Sequence, residues 1–308
     1  MPLFICPLCQ SPMTPAANTW RCDGSLNTKQ TSHSFDVARQ GYVNLLPVQQ
    51  KKSKAPGDSQ ASIEARQRFL NTGYYESLQA LVCQQINKLL QHPAETKKPI
   101  NWLDIGCGEG YYTVAMAKMG MHNLIAADIS KPAVTNLAKT CKATGRLWFQ
   151  QHQEALDKTA AVYPLVTNAA HLPLASQSVK GISSIFSLIL PEVFADALVD
   201  DGYLVIAKPD AGHLATMREA LFDDVREHDS DKFLEVLRPY FTLIDTHRVS
   251  SQMVLSAAHL ADLMTMTPYS YRARTEKRIA LLNSAEDKAF HTEAKFVVYV
   301  LQKKAAAL

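Results

Sequence analysis

The middle of the chain alternates between short apolar runs and longer stretches in which apolar residues recur at helical spacing. The runs lie at 101–105, 123–127, 164–168, 181–188 and 203–208. Their brevity and lack of polar alternation predict strands covered on both faces, as in a parallel sheet. Among the helical stretches, 75–91 carries Leu78, Leu81, Val82, Ile86, Leu89 and Leu90 on one stripe. Further helices are predicted at 63–71, after Gly110 and from Pro132; the first has Asp58-Ser59 as its N-cap and Gly73 as its stop. Residues 133–161 read mainly as helix, with Leu147-Trp148-Phe149 open to a short strand. Near the C-terminus, 242–249 and 294–301 predict a hairpin. Strands alternating with helices give an α/β chain, a parallel doubly wound sheet with an antiparallel addition.

Composition adds little to this picture but narrows the setting. With 308 residues and 47% hydrophobic content, the chain can bury a sizeable core as one large domain, or a large domain with a small one. A net charge of +3 is too mild to identify a polyanion partner. The apolar run at 181–190 contains serines and is too short to span a bilayer. The opening Met1-Pro2-Leu3-Phe4-Ile5 has neither the basic region nor the apolar stretch of a signal peptide. The expected location is cytoplasmic, with no membrane partner and with reduced cysteines.

The chemistry concentrates at Leu103-Asp104-Ile105-Gly106-Cys107-Gly108-Glu109-Gly110. A buried strand breaks there into a glycine turn that opens a helix, so a ligand can lie directly against backbone amides. The spacing G-x-G-x-G, with an acid two residues before the first glycine, departs from the G-x-G-x-x-G of dinucleotide folds. It resembles the first motif of S-adenosylmethionine (SAM) methyltransferases. Asp128 follows Gly110 by 18 residues, at the end of the second strand. That is the place for an acid that accepts both ribose hydroxyls, and equally for the N-cap of the next helix. The loop Asn168-Ala169-Ala170-His171-Leu172-Pro173-Leu174 resembles the one that contacts adenine in this fold.

A second chemical centre lies at the N-terminus. Cys6-Pro7-Leu8-Cys9 is a C-x-x-C pair, followed by Cys22 and His33. Four such ligands in so short a segment suit tetrahedral zinc, which would supply much of the segment's stability. The ten residues between Cys22 and His33 are a wide gap for a knuckle. A redox pair is disfavoured because no strand–helix pattern surrounds the motif. Lys51, Lys52 and Lys54 make a basic junction beyond it, read either as a solvated linker or as a phosphate contact. The expected organisation is a zinc-binding RNA-recognition domain at 1–48, a basic linker at 49–62 and a methyltransferase domain at 63–308.

Together these motifs resemble one family nearly end to end, the RlmA-type 23S rRNA guanine-N1 methyltransferases. The resemblance is carried by the C-x-x-C knuckle, Phe35-Asp36-x-Ala38-x-x-Gly41-Tyr42-Val43-Asn44-Leu45-Leu46 and Pro56-Gly57-Asp58-Ser59. It continues through Ala65-Arg66-x-x-Phe69-Leu70-x-x-Gly73-x-Tyr75, the glycine loop with Tyr111-Tyr112, and Met266-Thr267-Pro268-Tyr269-x-x-Arg272-Ala273-Arg274. It implies a Rossmann-like class I fold with a small zinc-binding domain, SAM and Zn2+ as cofactors, a 23S rRNA hairpin as partner and a homodimer. By position it implies Cys6, Cys9, Cys22 and His33 as zinc ligands. It places Tyr75, Asp104, Gly106, Gly108, Glu109, Gly110, Asp128, Asn168 and His213 around SAM. The chain departs from the family at the fourth-strand exit, Ser184-Ile185-Phe186-Ser187-Leu188-Ile189, at Ser176-Gln177-Ser178-Val179-Lys180, and at Asp200-Asp201-Gly202.

Guanine N1 carries a proton at neutral pH, so methylation there calls for a base at the carboxyl ends of the strands. Glu192, just after the fourth strand, is the candidate, and is equally an acid at a helix start. Tyr111, Phe186 and Tyr269 are candidates to stack on a base that has left its helix. Two other readings keep part of the pattern. A small-molecule methyltransferase leaves the knuckle and basic junction unexplained, and a non-catalytic RNA-binding protein leaves the intact Asp104, glycine loop and Asp128 unexplained.

Overall fold

The computed structural model describes residues 2–51, 53–91, 99–150, 159–223 and 233–305. Lys52 of the basic junction, Pro93 and the stretch 151–158 lie outside them. The first four strands are short and antiparallel in chain order: β1 (Phe4–Ile5), β2 (Pro12–Thr14), β3 (Thr19–Cys22) and β4 (Ser34–Asp36). The fifth, β5 (Val43–Asn44), leaves this ribbon and pairs in parallel with a strand of the main sheet. The main sheet therefore begins inside the segment expected to be the N-terminal domain.

Two helices follow, α1 (Gln60–Leu70) and α2 (Glu76–Leu90). The Ser59 side chain caps the first by accepting from the Ser62 amide, the cap that the sequence signals. The doubly wound part runs β6 (Asn101–Ile105), α3 (Tyr111–Met116), β7 (Asn123–Asp128), α4 (Lys131–Ala143), β8 (Ala161–Val166), β9 (Val179–Ile185), α5 (Pro191–Ala197) and β10 (Leu198–Pro209). Then come α6 (Ala215–Leu221), α7 (Leu234–Leu237), β11 (Phe241–Leu255), α8 (Ala257–Met266), α9 (Tyr269–Arg272), α10 (Thr275–Asp287) and β12 (Phe290–Lys303).

The eight-stranded sheet has the order β11-β12-β10-β9-β6-β7-β8-β5. The ladders β5–β8, β8–β7, β7–β6, β6–β9 and β9–β10 are parallel, and β12 is antiparallel to both of its neighbours. Alternate residues of each strand enter two cores, one on each face. Trp102, Ala126, Val205 and Phe296 belong to the first, with Tyr75 and Leu78; Leu103, Ile125, Ile206 and Val297 belong to the second, with Phe194 and Trp20. The order reverses between β6 and β9, so β6, β7 and β9 end together at the switch point where such sheets bind ligands.

Three differences from the sequence pattern have physical causes. The fourth strand stops at Ile185 because Phe186 turns into the left-handed region, at φ 54°. The predicted late hairpin exists as a β11–β12 pairing, but α8, α9 and α10 intervene between its strands. Leu147 forms only an isolated parallel bridge to Val162, and α4 ends at Ala143. Among the described residues no helix is long and apolar enough to cross a membrane.

The ribbon is fastened to the sheet. Phe4 bridges Leu174, the Ile5 amide donates to the Pro173 carbonyl at 3.1 Å, and the Ala175 amide donates to the Leu3 carbonyl at 3.0 Å. Rings complete the joint: Phe4 and Trp20 lie 4.6 Å apart, Trp20 and Trp148 meet edge-on at 5.5 Å, and Trp148 stacks on Tyr163 at 5.3 Å. The loop expected to contact adenine is thus held by the first strand of the metal ribbon.

Candidate functional site

The four N-terminal ligands converge. Their donor atoms all lie within 4.8 Å of one another. Cys9 Sγ is 3.8 Å from Cys22 Sγ, and His33 Nδ1 is 3.5 Å from Cys6 Sγ and 3.7 Å from Cys22 Sγ. A tetrahedral zinc ion with bonds of about 2.3 Å to sulfur and about 2.0 Å to nitrogen has edges of roughly 3.5–3.8 Å, so the donor set fits zinc. The wide gap between Cys22 and His33 has a simple cause. Cys22 ends β3 and His33 precedes β4, and the Cys22 amide donates to the His33 carbonyl at 3.1 Å. The hairpin register puts the two side by side whatever the length of the loop between them. The His33 amide also donates to Cys22 Sγ at 3.0 Å, which orients the sulfur toward the other donors.

At the switch point, Gly106, Gly108 and Gly110 all have positive φ, at 71°, 57° and 97°, a backbone that a side chain would strain. Gly106 also has no room for a Cβ, because the Ser187 side chain packs directly on it. Two carboxylates hold this turn. Asp104, 2% exposed, accepts from Thr113 Oγ1 at 2.6 Å and Ser183 Oγ at 2.9 Å, joining β6 to α3 and β9. Burial pushes its carboxyl up to about 6, against the pull of those two hydrogen bonds. Asp128 accepts from the Gly108 amide at 3.0 Å and the Ser130 amide at 2.7 Å. It does not itself cap the next helix: the Ser130 side chain does that, accepting from Ala133. Burial raises the Asp128 carboxyl as well.

Arg66 is the residue that pattern reading missed. Its guanidinium contacts Asp58 at 2.6 Å, Glu109 at 3.9 Å and the Met266 carbonyl at 3.4 Å, and lies 3.6 Å from where a Gly108 Cβ would stand. Glu109 is buried, its carboxyl is raised by that burial, and its Oε2 has no hydrogen-bond partner. The signal was available in the pairing of Asp58 with an arginine eight residues on, on a helix that begins beside the acid. The Ser130 hydroxyl donates to the Asp58 carbonyl at 2.9 Å, so the 58–66 segment and the Asp128 loop pack as one.

Tyr75 and His213 reach the same end of the sheet through one ring. Phe296 of β12 lies 4.7 Å from Tyr75, 4.9 Å from His213 and 5.6 Å from Phe186. His213 is 5% exposed, with Nδ1 at 2.8 Å from the Lys295 carbonyl. Tyr112 is 6.4 Å from Phe186 and 5.0 Å from Tyr111. Asn168 turns its own loop, accepting from the Ala170 amide at 3.0 Å. The placement of Glu192 departs from the expectation for a base. It is an exposed residue whose Oε1 accepts from the Tyr240 hydroxyl at 3.0 Å, and its neighbours Val193 and Tyr240 pack into the second core. Tyr75 and Phe296 belong to the first core, on the opposite face.

Comparison with known proteins agrees with both centres. Residues 4–54 match the family described as "RlmA, N-terminal", and residues 103–198 match "Methyltransferase domain". A Streptomyces fradiae protein named 23S rRNA (guanine(748)-N(1))-methyltransferase is 27% identical over 268 residues, covering 86% of this chain and 85% of its own length. Over most of its length the chain is similar to RlmA-type methyltransferases. YxjB of Bacillus subtilis (strain 168), provisionally named a 23S rRNA (guanine-N1)-methyltransferase, is 27% identical over 91% of this chain and 90% of its own length. Among solved structures, a geranyl diphosphate methyltransferase in complex with SAM is similar at 13% identity, over 82% of this chain and 93% of its own, with a TM-score of 0.42. The Cys3His cluster suits zinc, as the match to the RlmA N-terminal family leads one to expect, and the glycine turn suits SAM, as the match to the methyltransferase domain does.

Two measurements check these centres. The unchanged chain is expected to hold about one zinc ion and Cys22→Ser well under one, by elemental analysis of the purified protein; a full equivalent in the variant would contradict the ligand set. Asp104 binds its proton more tightly folded than unfolded, so the fold loses stability as pH rises from the ordinary 3.8 through about 6. Asp104→Asn lacks that loss. In denaturant titrations its stability relative to the unchanged protein should therefore rise by about 2 kcal/mol between pH 4 and pH 6.5. A difference that does not change with pH would contradict the burial of this carboxylate.

Proposed function

We propose that this chain transfers the methyl group of SAM to N1 of a guanine in 23S rRNA, in an unpaired hairpin loop. The observation that carries the reading is the joint between the two parts of the chain: the first strand of the metal ribbon is bonded to Pro173–Ala175, in the loop after β8 that begins with Asn168. A ribbon fixed there can present a large polynucleotide to a methyl donor, which a small-molecule methyltransferase has no need to do. The activity named for the relatives agrees with it.

Bound at the turn, SAM supplies an electrophilic methyl on a cationic sulfonium. The chain's own residues position it and set the local charge. Asp128, with both oxygens already fixed by amides, has lone pairs left for the ribose hydroxyls. Glu109 and Arg66 offer a carboxylate and a guanidinium side by side, which suits the ammonium and carboxylate of an amino acid. Asp104 braces the strand end beneath them, and the Asn168 loop faces the adenine end. Phe186, exposed and backed by the buried Phe296 with Tyr75 and His213 behind it, is the ring on which the target base would stack, shedding water and aligning N1 with the methyl. Glu192 takes no part in this reading, because its carboxylate ties α5 to Tyr240; the proton of guanine N1 leaves to solvent as the methyl is transferred and S-adenosylhomocysteine departs.

The test uses purified protein, SAM and deproteinised ribosomal RNAs, with modified nucleosides identified by mass spectrometry. The expected product is 1-methylguanosine in 23S rRNA and not in 16S rRNA. Asp128→Ala should weaken SAM binding by roughly 10- to 100-fold, from the loss of hydrogen bonds to a charged group. Methyl transfer to another atom, or equal transfer to both RNAs, would overturn the proposal.

A further inference from the structure

We infer that Tyr271, Arg272 and Arg274 form a clamp for single-stranded RNA beside the cofactor turn. The two arginines hold phosphodiester groups, and Tyr271 stacks on an unpaired base flanking the target. The inference rests on the rRNA reading above and adds to it the surface that grips the substrate on the methyltransferase side.

The segment 269–278 carries Arg272, Arg274, Lys277 and Arg278 against one acid, Glu276, with Tyr269 and Tyr271 interleaved. Aromatic rings alternating with guanidinium groups are the makings of a single-strand platform, since every base has a face to stack and every nucleotide a phosphate. The structure separates inner from outer members of this set. Tyr269 turns inward: its ring is half-buried, 5.8 Å from Phe222, and near Tyr75. Tyr271 turns outward and is 73% exposed, with the Arg272 guanidinium 5.9 Å from its ring centre. Arg272 and Arg274 are exposed too, and among the described residues neither forms a close ion pair; Asp223 pairs with Lys277 and lies only at longer range from Arg274.

The place of this corner in the fold gives it a role in methyl transfer. Met266, at the end of α8, offers its carbonyl to the same Arg66 that lies over Gly108 and faces Glu109. A strand gripped on the outside of α9 therefore passes the rim of the cofactor turn. Exposed arginines in most proteins are solvated surface charge. Here an exposed tyrosine ring lies within cation–π reach of one of them, so a face for a base and a charge for a phosphate are offered side by side.

Binding of full-length, zinc-loaded protein to oligo(U) and to a poly(A)·poly(U) duplex, followed across salt concentrations, tests the clamp. Arg272→Ala/Arg274→Ala should flatten the dependence of log K on log salt for oligo(U) by roughly 1.4, at about 0.7 for each phosphate that is no longer neutralised. Its SAM affinity should match that of the unchanged protein. Tyr271→Ala should lose about tenfold in affinity for oligo(U), keep its affinity for the duplex, and regain the loss as Tyr271→Phe. The control Arg238→Ala/Lys304→Ala removes two charges at the opposite end of the sheet, where β12 meets the start of β10, and should leave the slope unchanged. Equal flattening in the control and the clamp variant, or unchanged oligo(U) binding by Tyr271→Ala, would overturn the clamp. Failure of the unchanged protein to bind any RNA would instead overturn the rRNA reading, and the clamp with it.

Discussion

The cofactor end of this molecule depends on a backbone turn that cannot hold itself. Three glycines in left-handed conformations give up the side chains that would otherwise pack and pin them. Two buried acids do that work instead. Asp104 reaches sideways to Thr113 and Ser183, so the start of α3 and the middle of β9 are fixed relative to the end of β6. Asp128 reaches across to the Gly108 amide from the neighbouring strand. Both acids resist ionisation because of their burial, and Glu109 does so beside them. A turn flanked by three desolvated carboxylates, of which Glu109 and Asp128 also feel the Arg66 guanidinium, favours a ligand bearing positive charge. A sulfonium with an ammonium is such a ligand.

The same economy joins the metal ribbon to the sheet. A four-stranded ribbon of this size has little apolar mass, and its own core is Cys6, Cys22, Met13 and Trp20. Zinc closes one end of it and the aromatic joint to Trp148 and Tyr163 closes the other. Beside that joint, backbone hydrogen bonds tie the ribbon's first strand to the loop following β8, so the metal ribbon and the sheet are held together directly.

Much of this was legible in the sequence, and the failures were of particular kinds. Buried parallel strands read well because their apolar runs are unbroken: β6 is Asn101–Ile105, as its pattern predicts. The three helices between β11 and β12 went unread. Their stripes are weak, and the two flanking strands look like a simple hairpin when only their β character is weighed. The apolar pattern carries β9 three residues too far, because Phe186, Ser187 and Leu188 are apolar or small enough to extend a strand, and no local rule announces a phenylalanine in the left-handed region. The wide spacing of Cys22 and His33 ceases to matter once a hairpin register places them together. Arg66 and Phe296 share a different obscurity. Each serves the site from an element distant in sequence, and only the fold reveals that Phe296 is the ring on which Tyr75, Phe186 and His213 meet.

The central claim is that one unit carries both RNA capture and methyl transfer, and that its product is a methylated guanine of the large ribosomal RNA. The most direct measurement is a map of modified nucleotides in ribosomal RNA from cells with and without this gene. The account predicts that one 1-methylguanosine of 23S rRNA disappears with the gene, returns when the gene is restored, and fails to return with an Asp128→Ala copy. An unchanged guanine-N1 methylation pattern would contradict it.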